Sequence, residues 1–523
     1  GRDVAEVVDD GSPRGERLLA VLDPPVLDVD TGVRSSGHAE TASVTAELVR
    51  RGHRTIAFSR SRTGTELTCA DVRRQLPDDL AEAVRPYRGG YLAAERREIE
   101  SELFSGRLRG VVATSALELG VDVGGLDACV LDGFPGTIAS LWQQAGRAGR
   151  EGQPSLAVLV AGDDQLDRWF AEHPDELVAR PPEPAVINTA NPFVLAPHLA
   201  CAAYEQPLRP ADERWWGELL HDGVRDLVLA DQLRIRPDRD RTPRAYWSGR
   251  AWPAHGVGLR SGSSREVRIA SADGRLIGTV DEARAPAVVH EGAIYLHQGR
   301  TWRVVDLDLD DLTAIVEPDP GDTYTQPRSE VGVEILGEDE RRRVGAADLA
   351  LGAVRVRSQV VGYQRRDVRT RALLASEPLD LPGSTLDTRG FWYEVPLGLL
   401  EAAGVGPADI GGCLHAVEHT AISLLPLFTI CDRWDVGGVS TPLLADTGAP
   451  TIVIHDGYPG GTGIAELGYA AADRHLAATL ELLERCGCVA GCPSCVQSPK
   501  CGNGNEPLDK AAAIALLRAL LAA

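Results

Sequence analysis

The chain has 523 residues, of which 43% are hydrophobic and 25% charged, and carries a formal net charge of −22 at pH 7. That length suggests roughly three or four domains, and the composition excludes a fibrous or disordered chain. No run approaches the ~18 uninterrupted apolar residues of a membrane span. No charged segment followed by an apolar core opens the chain, so a cytoplasmic location without membrane contact is expected. Met is absent, residue 1 is Gly, and Lys500 and Lys510 are the only lysines. The chain is therefore expected to begin downstream of a natural start codon. Taken alone, the acidity argues against a polyanionic partner, unless arginines form a local stripe. Arg355, Arg357, Arg365, Arg366, Arg369 and Arg371 are one such stripe, and a solvated charged face explains them equally well.

In chain order, the first 175 or so residues alternate short apolar strands with helical spacing. RTIAF (54–58), RGVVAT (109–114), DACVL (127–131) and SLAVLV (155–160) read as buried parallel strands. ELTCADVRRQL, LAAERREIESELF and ASLWQQAGRAGR read as the intervening helices. This rhythm predicts a doubly wound α/β layer over residues 1–180. After PPEP (181–184), Trp- and Leu-rich helical segments predict a helical or winged-helix module over 181–250. REVRIA, RLIGTV, AIYLHQG, TWRVVDLDL and TAIVEP then predict a β-rich region over 251–375. EPDPGDTYTQP (317–327) and EPLDLPGSTLD (377–387) read as loops. Residues 376–523 read as an α+β domain with Gly-rich turns, a cysteine cluster and a final helix capped by Asp509.

QQAGRAGR, Gln143 to Arg150, has the form Q-x-x-G-R-x-G-R. Arg147 and Arg150, three apart, are expected on one helix face, each offering a planar fork of donors that suits phosphate oxygens. An arginine supplied across a cleft can accelerate phosphoryl transfer by roughly 10³–10⁵. Ahead of this segment lie RTIAFSRSR (54–62), YRGGY (87–91) and VVATSALELGVDVGGLDACVL (111–131). In this order the segments resemble motifs IV, V and VI of superfamily-two helicases, in the second RecA-like domain.

That resemblance implies specific roles. Arg147 and Arg150 would reach the γ-phosphate, and Gln143 would order the cleft. Gly120, Asp122 and Gly146 would bind ATP, with Asp122 toward the ribose. Thr114, Ser115, Ser59 and Arg60 would meet DNA backbone phosphates, which positions a strand without reading its sequence. No Gly-Lys pair occurs in the chain, so it contains no G-x-x-x-x-G-K-[ST] phosphate loop. No D-E-x-H segment for magnesium is found either. The first RecA-like domain is therefore expected outside this chain, which alone is expected not to hydrolyse ATP.

Five of the ten cysteines fall between Cys486 and Cys501. Cys492-x-x-Cys495 places two thiolates on one metal, and Cys488 and Cys501 complete a four-thiolate structural zinc site. Cys486 is the spare, able to replace Cys488. With DRWDVGGVST (432–441), HDGYPGGTGIAE (455–466) and GCPSCVQSPKCGNGNEPLDK (491–510), the tail resembles the C-terminal domain of MrfA-type (YprA-like) repair helicases. Fungal RecQ4-like relatives share it.

The resemblance implies the C-terminal portion of a 3′-to-5′ DNA helicase acting in repair, and the chain is expected to be a nucleoid-associated monomer. It would use ATP and Mg²⁺ when intact and act on single-stranded or partly duplex DNA. Two other readings compete with it. One is a non-catalytic DNA-binding module. The other is a zinc peptidase built on His415-x-x-Glu418-His419, with Glu481 or Glu484 as third ligand. DGYPGGTG (456–463) reads as a phosphate-binding nest or a bare Gly-rich turn. Trp215, Trp216, Phe391, Trp392 and Tyr393 read as core residues before base-stacking platforms.

Overall fold

Apolar residues alternate along each strand of the N-terminal sheet, so each strand feeds two cores at once. In the computed structural model Ile56 and Phe58 face one layer and Ala57 the other. The structure describes residues 5, 15–28, 33–119, 125–149, 152–183, 186–257, 265–368, 370 and 372–522. Six parallel strands run in the order Arg17–Leu22, Ser155–Val160, Ala128–Asp132, Thr55–Ser59, Gly110–Ala113 and Val84–Tyr87. Helices Gly37–Arg50 and Arg62–Arg74 cover one face. Ala93–Phe104, Ile138–Ala145 and Gln165–Glu172 cover the other. This is the expected RecA-like layer. The edge strands Arg17–Leu22 and Val84–Tyr87 were not anticipated from sequence.

One expectation fails locally. The helix carrying QQAGRAGR ends at Ala145, with Gly146 as its C-cap, so Arg147 lies in the turn that follows rather than on a helix face. Gly149 explains the ending. Its φ is +80°, and a Cβ there would lie 2.3 Å from Ser155 Oγ, so the chain turns back toward the sheet where only glycine fits.

Helices Pro192–Glu205 and Leu219–Leu229 pack with a two-stranded wing, Leu233–Pro237 and Pro243–Trp247. Five strands from Glu266 to Pro318 form the β-rich unit. The boundary expected at 375 does not hold, because the two longest strands, Thr323–Val344 and Ala347–Asp367, belong to the C-terminal sheet. That sheet continues through Ser384–Glu394, Ala449–Asp456 and Val436–Leu444, and Leu373–Pro378 pairs with its long second strand. Both proposed loops, 317–327 and 377–387, thus contain strand starts. Pro318 and Pro378 end the preceding strands, Pro320, Gly321, Pro382 and Gly383 lie just ahead of the next ones, and Pro327 sits early in an edge strand, where proline is tolerated.

Helices Ile410–Leu424, Ile464–Arg485 and Lys510–Leu521 build the C-terminal core on this sheet. Asp509 caps the last helix, accepting from Ala512 N at 2.9 Å. Phe391, Trp392 and Tyr393 are buried there, whereas Trp215 is exposed. Arg355 pairs with Asp387 and Arg357 with Glu334, which favours the solvated-face reading of the arginine stripe at these two positions. Arg369 and Arg371 lie outside the described residues. Among the described residues no helix is long and apolar enough to cross a membrane.

Candidate functional site

Side chains from three loops of the parallel sheet converge with one loop of the C-terminal domain around a cavity of about 440 Å³. Ser59, Arg60, Ser115, Glu118 and Gln144 line it from the motor side, and Asp432 and Asp435 from the other. Strand Thr55–Ser59 delivers Ser59, which is buried and donates from Oγ to Asp132 Oδ2 at 3.3 Å. His38 Nδ1 meets the same carboxylate. Arg60 is ion-paired with Asp164 at 2.5 Å and Asp167 at 3.3 Å. Asp164 also pairs with Arg433 of the C-terminal domain at 2.9 Å. Burial opposes the charge on Asp164, but Arg433 and Arg60 outweigh it and hold the carboxyl below its ordinary range. Burial pushes Asp167 the other way. The Ser59 hydroxyl and part of the Arg60 guanidinium, both expected to meet DNA, are thus engaged by carboxylates here.

Thr114 and Ser115 stand at the end of strand Gly110–Ala113 and open the short turn Ser115–Leu117. Thr114 Oγ1 caps it, accepting from Ala116 N at 3.4 Å, and Ser115 is exposed. The turn leads directly to Glu118, which sequence reasoning missed. This buried acid accepts from Ser140 Oγ at 2.6 Å and from Gln144 Nε2 at 2.9 Å. Its backbone carbonyl accepts from Arg147 Nε at 3.0 Å. Gln143, expected to order the cleft, is exposed, while its neighbour Gln144 is the buried one that meets Glu118. Gly146 closes the helix beside them. Gly120, Asp122 and Arg150 lie outside the described residues. An acid four residues after Thr114 was the only available signal for Glu118, and it did not distinguish that residue from a surface acid.

The cysteine cluster differs from its expected membership. The ligand atoms of Cys486, Cys488, Cys492 and Cys495 all lie within 4.8 Å of one another. Four of the sulfur–sulfur separations are 3.5, 3.5, 3.5 and 3.7 Å. A zinc tetrahedron with bonds of ~2.3 Å has edges of about 3.8 Å, so these thiolates fit the metal. Cys486 therefore replaces Cys501 in the set. Helix Ile464–Arg485 ends in an extended C-cap at Cys486 and delivers that sulfur directly. Lys510 Nζ donates to the Cys488 carbonyl at 2.8 Å, and Cys492 N donates to Cys495 Sγ at 3.3 Å, so the surroundings orient the sulfurs. Cys501 instead groups with His415 and His419.

The peptidase reading loses its third ligand. Glu484, exposed, pairs with Arg518, and Glu481, half-buried, pairs with Arg485. The phosphate-nest reading of 456–463 also gives way. Asp456 itself fills the turn, accepting from Thr462 N and Thr462 Oγ1 at 2.8 Å and from Ile464 N at 3.2 Å. The adjoining carbonyls of Pro459 and Gly461 bind Asn191 Nδ2 of the winged module.

Three family descriptions match separate stretches of the chain. Residues 40–152 match the helicase conserved C-terminal domain, 187–262 the winged helix domain of ATP-dependent helicase HRQ1, and 417–496 the MrfA Zn-binding domain. The crystal structure of the DUF1998 helicase MrfA bound to DNA is similar with a TM-score of 0.69 and 34% identity, over 98% of this chain and 67% of that one. The chain belongs to the MrfA/YprA-like family of superfamily-two helicases. The uncharacterized ATP-dependent helicase YprA of Bacillus subtilis is 34% identical over 95% of this chain and 66% of its own length. ATP-dependent helicase HRQ1 of Saccharomyces cerevisiae is 29% identical over 99% of this chain and 50% of its own. The chain thus spans between half and two thirds of these curated relatives. In the MrfA-like frame, the matched zinc-binding stretch contains all four clustered cysteines and ends before Cys501.

Proposed function

We propose that this chain is the DNA-tracking and transition-state half of an ATP-dependent 3′-to-5′ DNA helicase acting in DNA repair. The observation that carries the reading is the turn from Thr114 to Glu118. Its first two residues present hydroxyls at the strand end, and its last holds Arg147 by a backbone carbonyl. A DNA phosphate bound at Thr114 and Ser115 would thus be linked through one short turn to the carbonyl that holds Arg147. ATP with Mg²⁺, bound against a domain carrying the phosphate loop, would supply the γ-phosphate that Arg147 and Arg150 stabilise as it transfers. Gly120, Asp122 and Gly146 would bind the nucleotide in this reading, and Gln143 would order the cleft. Ser59 and Arg60 position the rim through Asp132, Asp164 and Asp167. Zinc on the four clustered thiolates stabilises the loop they hold.

Alone, the 523-residue chain binds DNA without hydrolysing ATP, because it contains no Gly-Lys pair to cradle the phosphates. The test uses the helicase with its phosphate-loop domain. Arg147→Ala should lower DNA-stimulated ATP hydrolysis by roughly 10³-fold or more while ATP-free binding to single-stranded DNA persists. Hydrolysis at the unaltered rate removes the assignment. A double Thr114→Ala, Ser115→Ala variant should instead lose DNA stimulation.

A further inference from the structure

Helix Ile410–Leu424 carries two histidines one turn apart, His415 and His419, on a face that is buried in the C-terminal domain. Cys501 reaches them from the loop beyond the zinc-cluster cysteines, with its Sγ 3.5 Å from His415 Nε2. One ligand atom from each of the three residues lies within 4.8 Å of the others. Both imidazoles are already oriented. His415 Nδ1 is 2.8 Å from the carbonyl of Pro507, and His419 Nδ1 is 2.8 Å from that of Val496. A ring that donates from Nδ1 to a carbonyl carries its lone pair on Nε2, the arrangement found behind most metal-bound histidines. Asn505 N also donates to Cys501 Sγ at 3.3 Å, which suits a thiolate.

We propose that His415 Nε2, His419 Nε2 and Cys501 Sγ form a second zinc site, separate from the four-cysteine cluster. Two imidazoles and a thiolate select a borderline-soft divalent cation, whereas Ca²⁺ and Mg²⁺ take oxygen ligands. Bonds of ~2.0 Å to nitrogen and ~2.3 Å to sulfur span about 3.5 Å between donors in a tetrahedron, matching the His415–Cys501 separation. The Cys501 thiol gives its proton to solvent as it binds. Three protein ligands leave one coordination position for water or another small ligand. Cys501 cannot serve the first cluster, whose four sulfurs already complete a tetrahedron.

The two ions would divide one loop between them. The four-cysteine site folds 486–495 onto itself. The second site fastens Cys501 to a helix more than eighty residues earlier, and Val496, whose carbonyl orients His419, directly follows the first cluster. An isolated thiol–imidazole hydrogen bond is the competing account of the same contact.

The experiment is metal stoichiometry on the purified full chain, refilled with zinc, passed through a desalting column and measured by plasma mass spectrometry. Two zinc ions per chain are expected, falling to one in Cys501→Ser and one in His415→Gln. One ion in the unaltered protein, unchanged by Cys501→Ser, overturns the proposal and leaves the hydrogen bond. The unaltered protein alone decides the matter if a variant fails to fold. In the cobalt-loaded protein, the thiolate-to-metal charge-transfer band should drop by about a fifth in Cys501→Ser, as five sulfur ligands become four. A band of unchanged intensity is a second overturning result.

Discussion

Arg147 donates from Nε to the backbone carbonyl of Glu118 at 3.0 Å, while the Glu118 carboxylate is occupied by Ser140 and Gln144. Main chain and side chain of one residue therefore do separable jobs. Glu118→Ala should leave the grip on Arg147 and strand the buried Gln144 amide without its acceptor. A buried unsatisfied amide costs about 1–3 kcal/mol. The expected outcome is a lower unfolding midpoint in urea. In the full helicase the same variant should retain Arg147-dependent ATP hydrolysis. Loss of hydrolysis with unchanged stability would show that the carboxylate itself acts in the cleft.

Gly149 occupies φ +80°, and a β-carbon there meets Ser155 Oγ at 2.3 Å. Gly149→Ala should destabilise the motor domain by on the order of 1–3 kcal/mol from backbone strain, with the clash adding to it. Thermal unfolding of Gly149→Ala, alone and with Ser155→Gly, separates the two effects. The double variant should recover part of the loss, because the hydroxyl is removed but the backbone conformation is not relieved. Full recovery would assign the whole effect to the clash.

His475 is fully buried and donates from Nε2 to the Ala421 carbonyl at 2.6 Å. Burial pushes its pKa down from 6.5 to about 4. The unfolded chain therefore takes up a proton first as the solution is acidified. The stabilisation from a neutral His475 is complete above about pH 6.5 and is lost as pH falls toward 4. A full separation of that size corresponds to on the order of 3 kcal/mol. Urea midpoints of the unaltered protein and His475→Gln, measured from pH 7 to 4, should converge as the solution becomes acidic. Parallel curves across that window would show that the folded ring takes up its proton over the same pH range as the unfolded one.

The sequence by itself determined the features whose causes are local or periodic. The four central strands follow from short apolar runs bounded by turns, and the last helix from Asp509 followed by spaced leucines. The pairing of Cys492 with Cys495 follows from a spacing that leaves two sulfurs one metal apart. The superfamily was legible in the order of the motor segments, and the MrfA/YprA-like family in the segments of the cysteine-rich tail.

Tertiary structure decided whatever depends on residues distant in the chain or on the exact end of an element. Cys486 and Cys501 look alike beside the cluster, and only the path of helix Ile464–Arg485 gives one to the four-sulfur site. The approach of helix Ile410–Leu424 gives the other to two histidines. Arg147 left its expected helix because Gly146 and Gly149 end it. The long strands across 323–367 join the C-terminal sheet because their hydrogen-bonding partners lie farther along the chain, at 384–394. Ser59 and Arg60 found carboxylates from Asp132, Asp164 and Asp167 rather than open solvent. A sequence specifies donors and their spacing, but which acceptor satisfies a buried donor depends on the elements that fold against it.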